Sequence, residues 1–122
     1  MLFRSHYPGL TNHPDHELAS RQFIAEAGRP LFGHMLSFEL KGGLPAAERL
    51  ISGLKQIHFC PSLGELATTL SHPASTSHRG MTAQAREELG IGDGLIRLSV
   101  GLESPEFIEN ELLGVLRMLD AS

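Results

Sequence analysis

Lysine is scarce in this chain: among 122 residues only Lys41 and Lys55 carry an ammonium group, and the formal net charge is −4. A protein that neutralises several nucleic-acid phosphates needs clustered Lys and Arg, so this composition argues against a nucleic-acid partner. Cysteine is scarcer still. Cys60 stands alone, which rules out an internal disulfide and suits a reducing cytoplasm, the expected location. No uninterrupted apolar run reaches the length of about 18 residues that a membrane span needs, so no membrane partner is expected. The opening Met1-Leu2-Phe3-Arg4-Ser5-His6 lacks the apolar stretch of a signal peptide, and export is not expected. Metal-ligand patterns are missing too. His13 and His16 are spaced i, i+3, but neither Cys-x-x-Cys nor His-Glu-x-x-His accompanies them, and zinc needs three or four ligands. No metal site is expected.

What is present suffices for one core. At this length, 41% hydrophobic residues can fill a single domain without staples, so residues 1–122 are read as one domain. Four segments read as helices. The first begins near His13-Pro14-Asp15, with proline at the first helical position, and is expected to end at Gly28. The second follows Gly42-Gly43-Leu44-Pro45 and places Ala47, Leu50, Ile51 and Leu54 on one face. A third runs from Thr82 to a stop before Gly90. The fourth takes Ser104 as N-cap and Pro105 next, with Ile108, Leu112, Val115, Leu116 and Leu119 as its apolar stripe.

Strand patterns alternate with these helices. In Leu95 to Val100, Ile96, Leu98 and Val100 share one face while Leu95, Arg97 and Ser99 share the other. His34 to Leu40 alternates in the same way, and Ile57-His58-Phe59 is a short third candidate. Cys60 to Met81, rich in Ser, Thr, Pro, Gly and His, reads as mostly irregular. A connection that long in a small domain points to function rather than idleness. The fold class expected is an α/β (α+β) two-layer sandwich: a small antiparallel or mixed sheet with helices mainly on one face.

Several residues invite functional readings. Gly90-Ile91-Gly92-Asp93-Gly94 follows a helix and precedes a strand, the reverse of a dinucleotide loop, so it is read as a helix stop and turn. His58, inside an apolar run, reads as a satisfied core or sheet histidine. Ser62-Leu63-Gly64-Glu65 fits a helix capping box, with Ser62 accepting from the backbone and Glu65 reaching back. It also fits a turn whose amides and Ser62 hydroxyl bind an anion. Arg97 lies mid-strand, where a guanidinium is costly to desolvate without an anionic partner. Solvation, an ion pair with a carboxylate such as Glu39, and a bidentate clamp for a carboxylate ligand all remain open for it.

The ordered set of motifs resembles a family. Tyr7-Pro8-Gly9-Leu10, His13-Pro14 and Phe38-Glu39-Leu40-Lys41-Gly42-Gly43 come first. Ser62-Leu63-Gly64, His72-Pro73-Ala74-Ser75, Ser77-His78, Arg86 and Gly90-Ile91 follow, and then Leu95 to Glu103. Together they resemble the carboxy-terminal third of the Cys/Met-metabolism pyridoxal-phosphate (PLP) enzymes: cystathionine γ-synthase, cystathionine β- and γ-lyases, methionine γ-lyase and the homoserine sulfhydrylases. The resemblance runs from about Tyr7 to the last helix. It implies the small, substrate-side domain of the aspartate-aminotransferase fold, packed on a larger PLP-binding domain. It also implies that Arg97 grips the α-carboxylate of an amino-acid substrate, with Ser62 beside it and Ser77 as a further substrate contact.

The same resemblance defines what the chain lacks. The family's Schiff-base lysine sits in a Ser-x-Thr-Lys motif, and neither Lys41 nor Lys55 has that context. Pyridoxal 5'-phosphate is therefore expected in the full-length enzyme and not on this chain alone. The isolated chain is expected to be inactive and, with its partner face uncovered, to form a homo-oligomer. Departures from the usual pattern include Ser77 for threonine, Thr76 for methionine, and Glu65 where glycine or aspartate is frequent. A non-catalytic remnant or oligomerising fragment, and a stand-alone amino-acid-binding module, are the alternative readings.

Overall fold

The computed structural model describes residues 2–121. Nine regular elements follow one another: β1 (Leu2–His6), α1 (His16–Gln22), β2 (Met35–Leu40), α2 (Gly43–Gly53), β3 (His58–Phe59), β4 (Thr69–Ser71), α3 (Ala83–Glu88), β5 (Leu95–Ser99) and α4 (Pro105–Ala121). The five strands form one mixed sheet in the order β1-β2-β5-β4-β3, antiparallel throughout except for the β3–β4 pair. The α/β class and the placement of helices agree with the sequence expectation.

Strand alternation sorts the sheet into two faces. Leu36, Phe38 and Leu40 of β2, Ile96 and Leu98 of β5, and Leu70 of β4 turn toward α2 and α4, which bring Ala46, Ala47, Leu50, Ile108, Leu116 and Leu119 against them. Leu50, Leu70 and Ile96 are almost wholly buried, each worth roughly 1.5–3 kcal/mol relative to exposure. Glu111 ties the two helices: its Oε1 accepts from the backbone N–H groups of Lys55 and Gln56, just past the end of α2. The opposite face carries Ser37, Arg97 and Ser71 in one cross-strand row and Met35, Ser99 and Thr69 in the next.

The helix boundaries show where local signals govern. Thr82 caps α3 by accepting from the Ala85 N–H at 3.2 Å, Gly90 takes a φ of +74° after it, and Ser104 accepts from the Phe107 N–H at 3.2 Å at the start of α4. One expectation is corrected, and two strands are added to the pattern. α1 is shorter at both ends than His13–Gly28: Pro14 lies in the preceding turn, and the chain leaves the helix at Phe23. There the carbonyl of Phe23 accepts from Leu31 and an Ile24–Pro30 bridge turns the backbone back. The segment from Cys60 to Met81 holds a strand, β4, and a 3₁₀ turn at Pro73–Ser75. Finally, β1 adds an edge strand within a stretch whose pattern does not mark it as one.

Candidate functional site

The site lies on the sheet face away from α2 and α4. β5 places Arg97 at the centre of that face, with Ser37 on one side and Ser71 on the other. These short hydroxyl side chains leave room for the guanidinium to extend across the sheet. Arg97 Nη2 donates to the Pro61 carbonyl at 2.9 Å and, more weakly, to the Ser62 carbonyl at 3.4 Å. Among the described residues it forms no ion pair, and its Nε and Nη1 have no protein partner. The ion pair with Glu39 is therefore not made; Glu39 stands beside Leu95 and Gly92 instead. Two carbonyl dipoles offset part of the desolvation cost of the cation and leave the rest of its field for an anion.

The loop that receives Arg97 is irregular but anchored along its length. Cys60 N–H donates to Leu70 O at 2.9 Å, Gly64 N–H to Ser99 Oγ at 3.0 Å, and Leu102 N–H to Leu66 O at 2.8 Å. At its end, Thr68 gives its N–H and its hydroxyl to Glu103, and the Thr68 Oγ1 accepts from Gly101 N–H at 2.8 Å. The Thr68 amide is the main cause holding the Glu103 carboxyl below its ordinary range. Gly101 fits where only glycine can: a Cβ there would lie 2.4 Å from Leu66 O and 2.5 Å from the Thr68 nitrogen. The segment from Pro61 to Thr68 is thus docked on β5 and the turn after it, which brings Ser62 next to Arg97.

At Ser62 the capping box is not formed, because no helix starts there. The Ser62 hydroxyl donates directly to Glu65 Oε1 at 2.5 Å, and its oxygen accepts from the Cys60 thiol at 3.5 Å. Arg97 and Ser62, the two ends of the anticipated anion site, are brought together. Ser77 is not shown joined to them: it is exposed and bonds its neighbour, with Oγ 2.8 Å from His78 Nδ1.

Other motif residues prove structural. His72 is only 1% exposed; its Nε2 lies 2.6 Å from the Asp93 carbonyl and its Nδ1 2.7 Å from Ser75 Oγ. A carbonyl only accepts, so Nε2 carries a ring proton. Arg86 joins Met81 O at 2.8 Å and Asp93 Oδ1 at 3.1 Å. Together they fix the turn that launches β5. His58, read as a core or sheet histidine, is in the sheet but exposed on its edge strand; His72 is the buried histidine. His16 Nδ1 lies 2.8 Å from Pro8 O, and His13 Nδ1 accepts from Asp15 N–H. No group of three metal-ligating side chains occurs among the described residues. Sequence reasoning missed Ser99, Thr68 and Glu103 as supports of the site. The shared face of Arg97 and Ser99 was the available signal.

Residues 2–116 match the family described as Cys/Met metabolism PLP-dependent enzyme. The chain belongs to that family. It is 48% identical over 109 residues to an L-methionine gamma-lyase of Fusobacterium nucleatum subsp. polymorphum, a match covering 89% of this chain and 26% of that enzyme. To the O-succinylhomoserine sulfhydrylase of Pseudomonas aeruginosa it is 42% identical over 109 residues, again covering 89% of this chain and 26% of the relative. Among solved structures, cystathionine gamma synthase from Xanthomonas oryzae pv. oryzae, in complex with aminoacrylate and cysteine, superimposes with a TM-score of 0.85 at 41% identity. That superposition covers 99% of this chain and 30% of the synthase. The chain thus spans about a quarter of the length of these curated relatives.

The family implies PLP in the full-length enzyme, and the residues present here do not fit a PLP site. Lys41 and Lys55, the only candidates for a Schiff base, are both exposed and lie just past the ends of β2 and α2. A cleft of about 660 Å³ opens on the helix side of the sheet, lined by Leu36, Phe38, Leu98, Val100, Leu112 and Leu116 among others. It is apolar and faces away from Arg97, so it suits neither a phosphate nor the chemistry of the site. Among the described residues no helix is long and apolar enough to cross a membrane.

Proposed function

We infer that this chain is the carboxy-terminal, substrate-side domain of a transsulfuration-type PLP enzyme, a carbon–sulfur lyase or a γ-synthase or sulfhydrylase. Its Arg97 holds the α-carboxylate of a cysteine-, methionine- or homoserine-derived substrate. The observation that carries this reading is a guanidinium braced by the Pro61 and Ser62 carbonyls, with no carboxylate among the described residues paired to it. The planar fork of arginine matches a carboxylate through two parallel N–H···O bonds, and its free edge is available for them. Ser62 lies at the same place on the bracing loop and helps orient the ligand; Ser77 is a further candidate. Gripping one end of the amino acid fixes its position relative to a reacting centre, the main service a binding domain gives to catalysis.

The cofactor and its lysine belong, on this reading, to a large PLP-binding domain that is absent here or separately encoded. The fraction of each relative that the chain matches supports a part rather than a whole. Exposed apolar surface beside the site points the same way. Leu63, Leu66 and Leu102 are 57%, 77% and 80% exposed, and such a patch suits packing against a second body or another copy. The chain alone is then inactive and self-associating, in a reducing cytoplasm.

The test is Arg97→Ala in the complete enzyme. If the pair is desolvated and bidentate, kcat/KM falls by roughly 2–5 kcal/mol in transition-state terms. An unchanged kcat/KM removes Arg97 from the site.

A further inference from the structure

We propose that Glu65 gates the carboxylate site by holding the proton of the Ser62 hydroxyl, so that a carboxylate ligand must displace Glu65 before that hydroxyl can serve it. This deepens the reading of Arg97 and Ser62 as one anion site and rests on it. A serine hydroxyl has one proton to donate. Here that proton goes to Glu65 Oε1 at 2.5 Å, while the oxygen accepts from the Cys60 thiol. A carboxylate ligand is an acceptor only, so in this arrangement the Ser62 hydroxyl has no proton to offer it. The Arg97 edge remains open, but its neighbour is already serving a carboxylate of the chain's own.

Glu65 is suited to come and go. It is exposed, in a loop without regular structure, and among the described residues its carboxylate bonds to no backbone amide. Its backbone neighbourhood is firm by contrast: Gly64 N–H is anchored on Ser99 and Leu66 O on Leu102 N–H. Releasing Glu65 therefore requires only a side-chain rotation, with the loop left in place. Its negative charge also opposes an anion approaching Arg97, and that contribution separates from the hydroxyl contact by mutation.

The test is a titration of the 122-residue chain with sodium acetate, read by NMR on the Arg97 Nε–H resonance. Wild type, Glu65→Ala, Ser62→Ala and the double variant are compared. Freeing Ser62 in Glu65→Ala tightens acetate binding about tenfold, the worth of a charge-assisted hydrogen bond regained. In the Ser62→Ala background, the same Glu65 substitution gives little gain. Equal affinity of wild type and Glu65→Ala overturns the gate and leaves the Arg97 reading standing. A gain that persists in full without Ser62 also overturns it, since charge alone then accounts for the effect. An Arg97 resonance unmoved by acetate in all four proteins overturns the carboxylate site itself and the gate with it.

Discussion

The Glu103 carboxylate clamps Thr68: Oε1 and Oε2 lie 3.0 and 2.9 Å from the Thr68 nitrogen, and Oε1 lies 2.8 Å from its hydroxyl oxygen. Thr68 is fully buried, so it has no water to fall back on. Glu103→Ala leaves its buried N–H and hydroxyl without their acceptor and is expected to cost roughly 1–3 kcal/mol. Urea denaturation measures it; an unchanged midpoint would show that the clamp contributes nothing.

The same clamp makes stability depend on acid. Glu103 and Glu111 both have carboxyls held below their ordinary range, Glu103 chiefly by the Thr68 amide and Glu111 chiefly by the Gln56 amide, then that of Lys55. A carboxyl with a lower pKa in the folded chain binds fewer protons there, so it stabilises at neutral pH. That stability is lost as pH falls from the unfolded value, about 4.3, through the folded one. The Glu103→Gln/Glu111→Gln variant should show a shallower fall in melting temperature below that pH. Curves of equal slope would contradict the assignment.

Gly101 should tolerate no side chain. The atoms a Cβ would meet are backbone atoms of Leu66, Ala67 and Thr68, and backbone cannot swing aside as a side-chain tip can. Gly101→Ala is expected to cost about 1–3 kcal/mol, as overpacking does, and to lift the bracing loop from Arg97. Differential scanning calorimetry showing no loss would refute that account.

Ser99 anchors the same loop from beneath. It is 1% exposed on the Arg97 face, and its Oγ accepts from Gly64 N–H. In Ser99→Ala the Gly64 amide should exchange with solvent deuterium faster while the amides of β2 and β5 keep their protection, because only the loop opens. Uniform rates across the chain would argue that Ser99 merely fills space.

Much of this architecture is legible from residue pattern. α4 announces itself through Ser104, Pro105 and a stripe that packs as expected, with Ile108, Leu116 and Leu119 buried. β5 does so through strict alternation, which also set Arg97 and Ser99 on one face. β4 is not legible there, because Thr69-Leu70-Ser71 has the composition of a loop. Its membership in the sheet comes from pairing with β5 and β3, contacts distant in sequence. β1 depends likewise on β2, more than two dozen residues away. The pattern overextends α1 because Phe23 and Ile24 continue its apolar run while their backbone is claimed by Leu31 and Pro30. At the site, the Ser-x-x-Glu spacing suggests backbone caps at Ser62 and Glu65, whereas the two side chains bond each other instead. The helix it implies is missing, because the loop is docked on β5 and the turn after it.

The central claim is that Arg97 serves a carboxylate, and a substrate-side comparison tests it most directly. In the complete enzyme, kcat/KM is measured for wild type and Arg97→Ala with L-methionine or O-succinyl-L-homoserine, and with the α-carboxamide of the same compound. If Arg97 grips the α-carboxylate, its removal lowers kcat/KM with the amino acid by about thirtyfold or more, while the two proteins handle the carboxamide nearly alike. An equal loss with both substrates would contradict the account and make Arg97 a support of the fold.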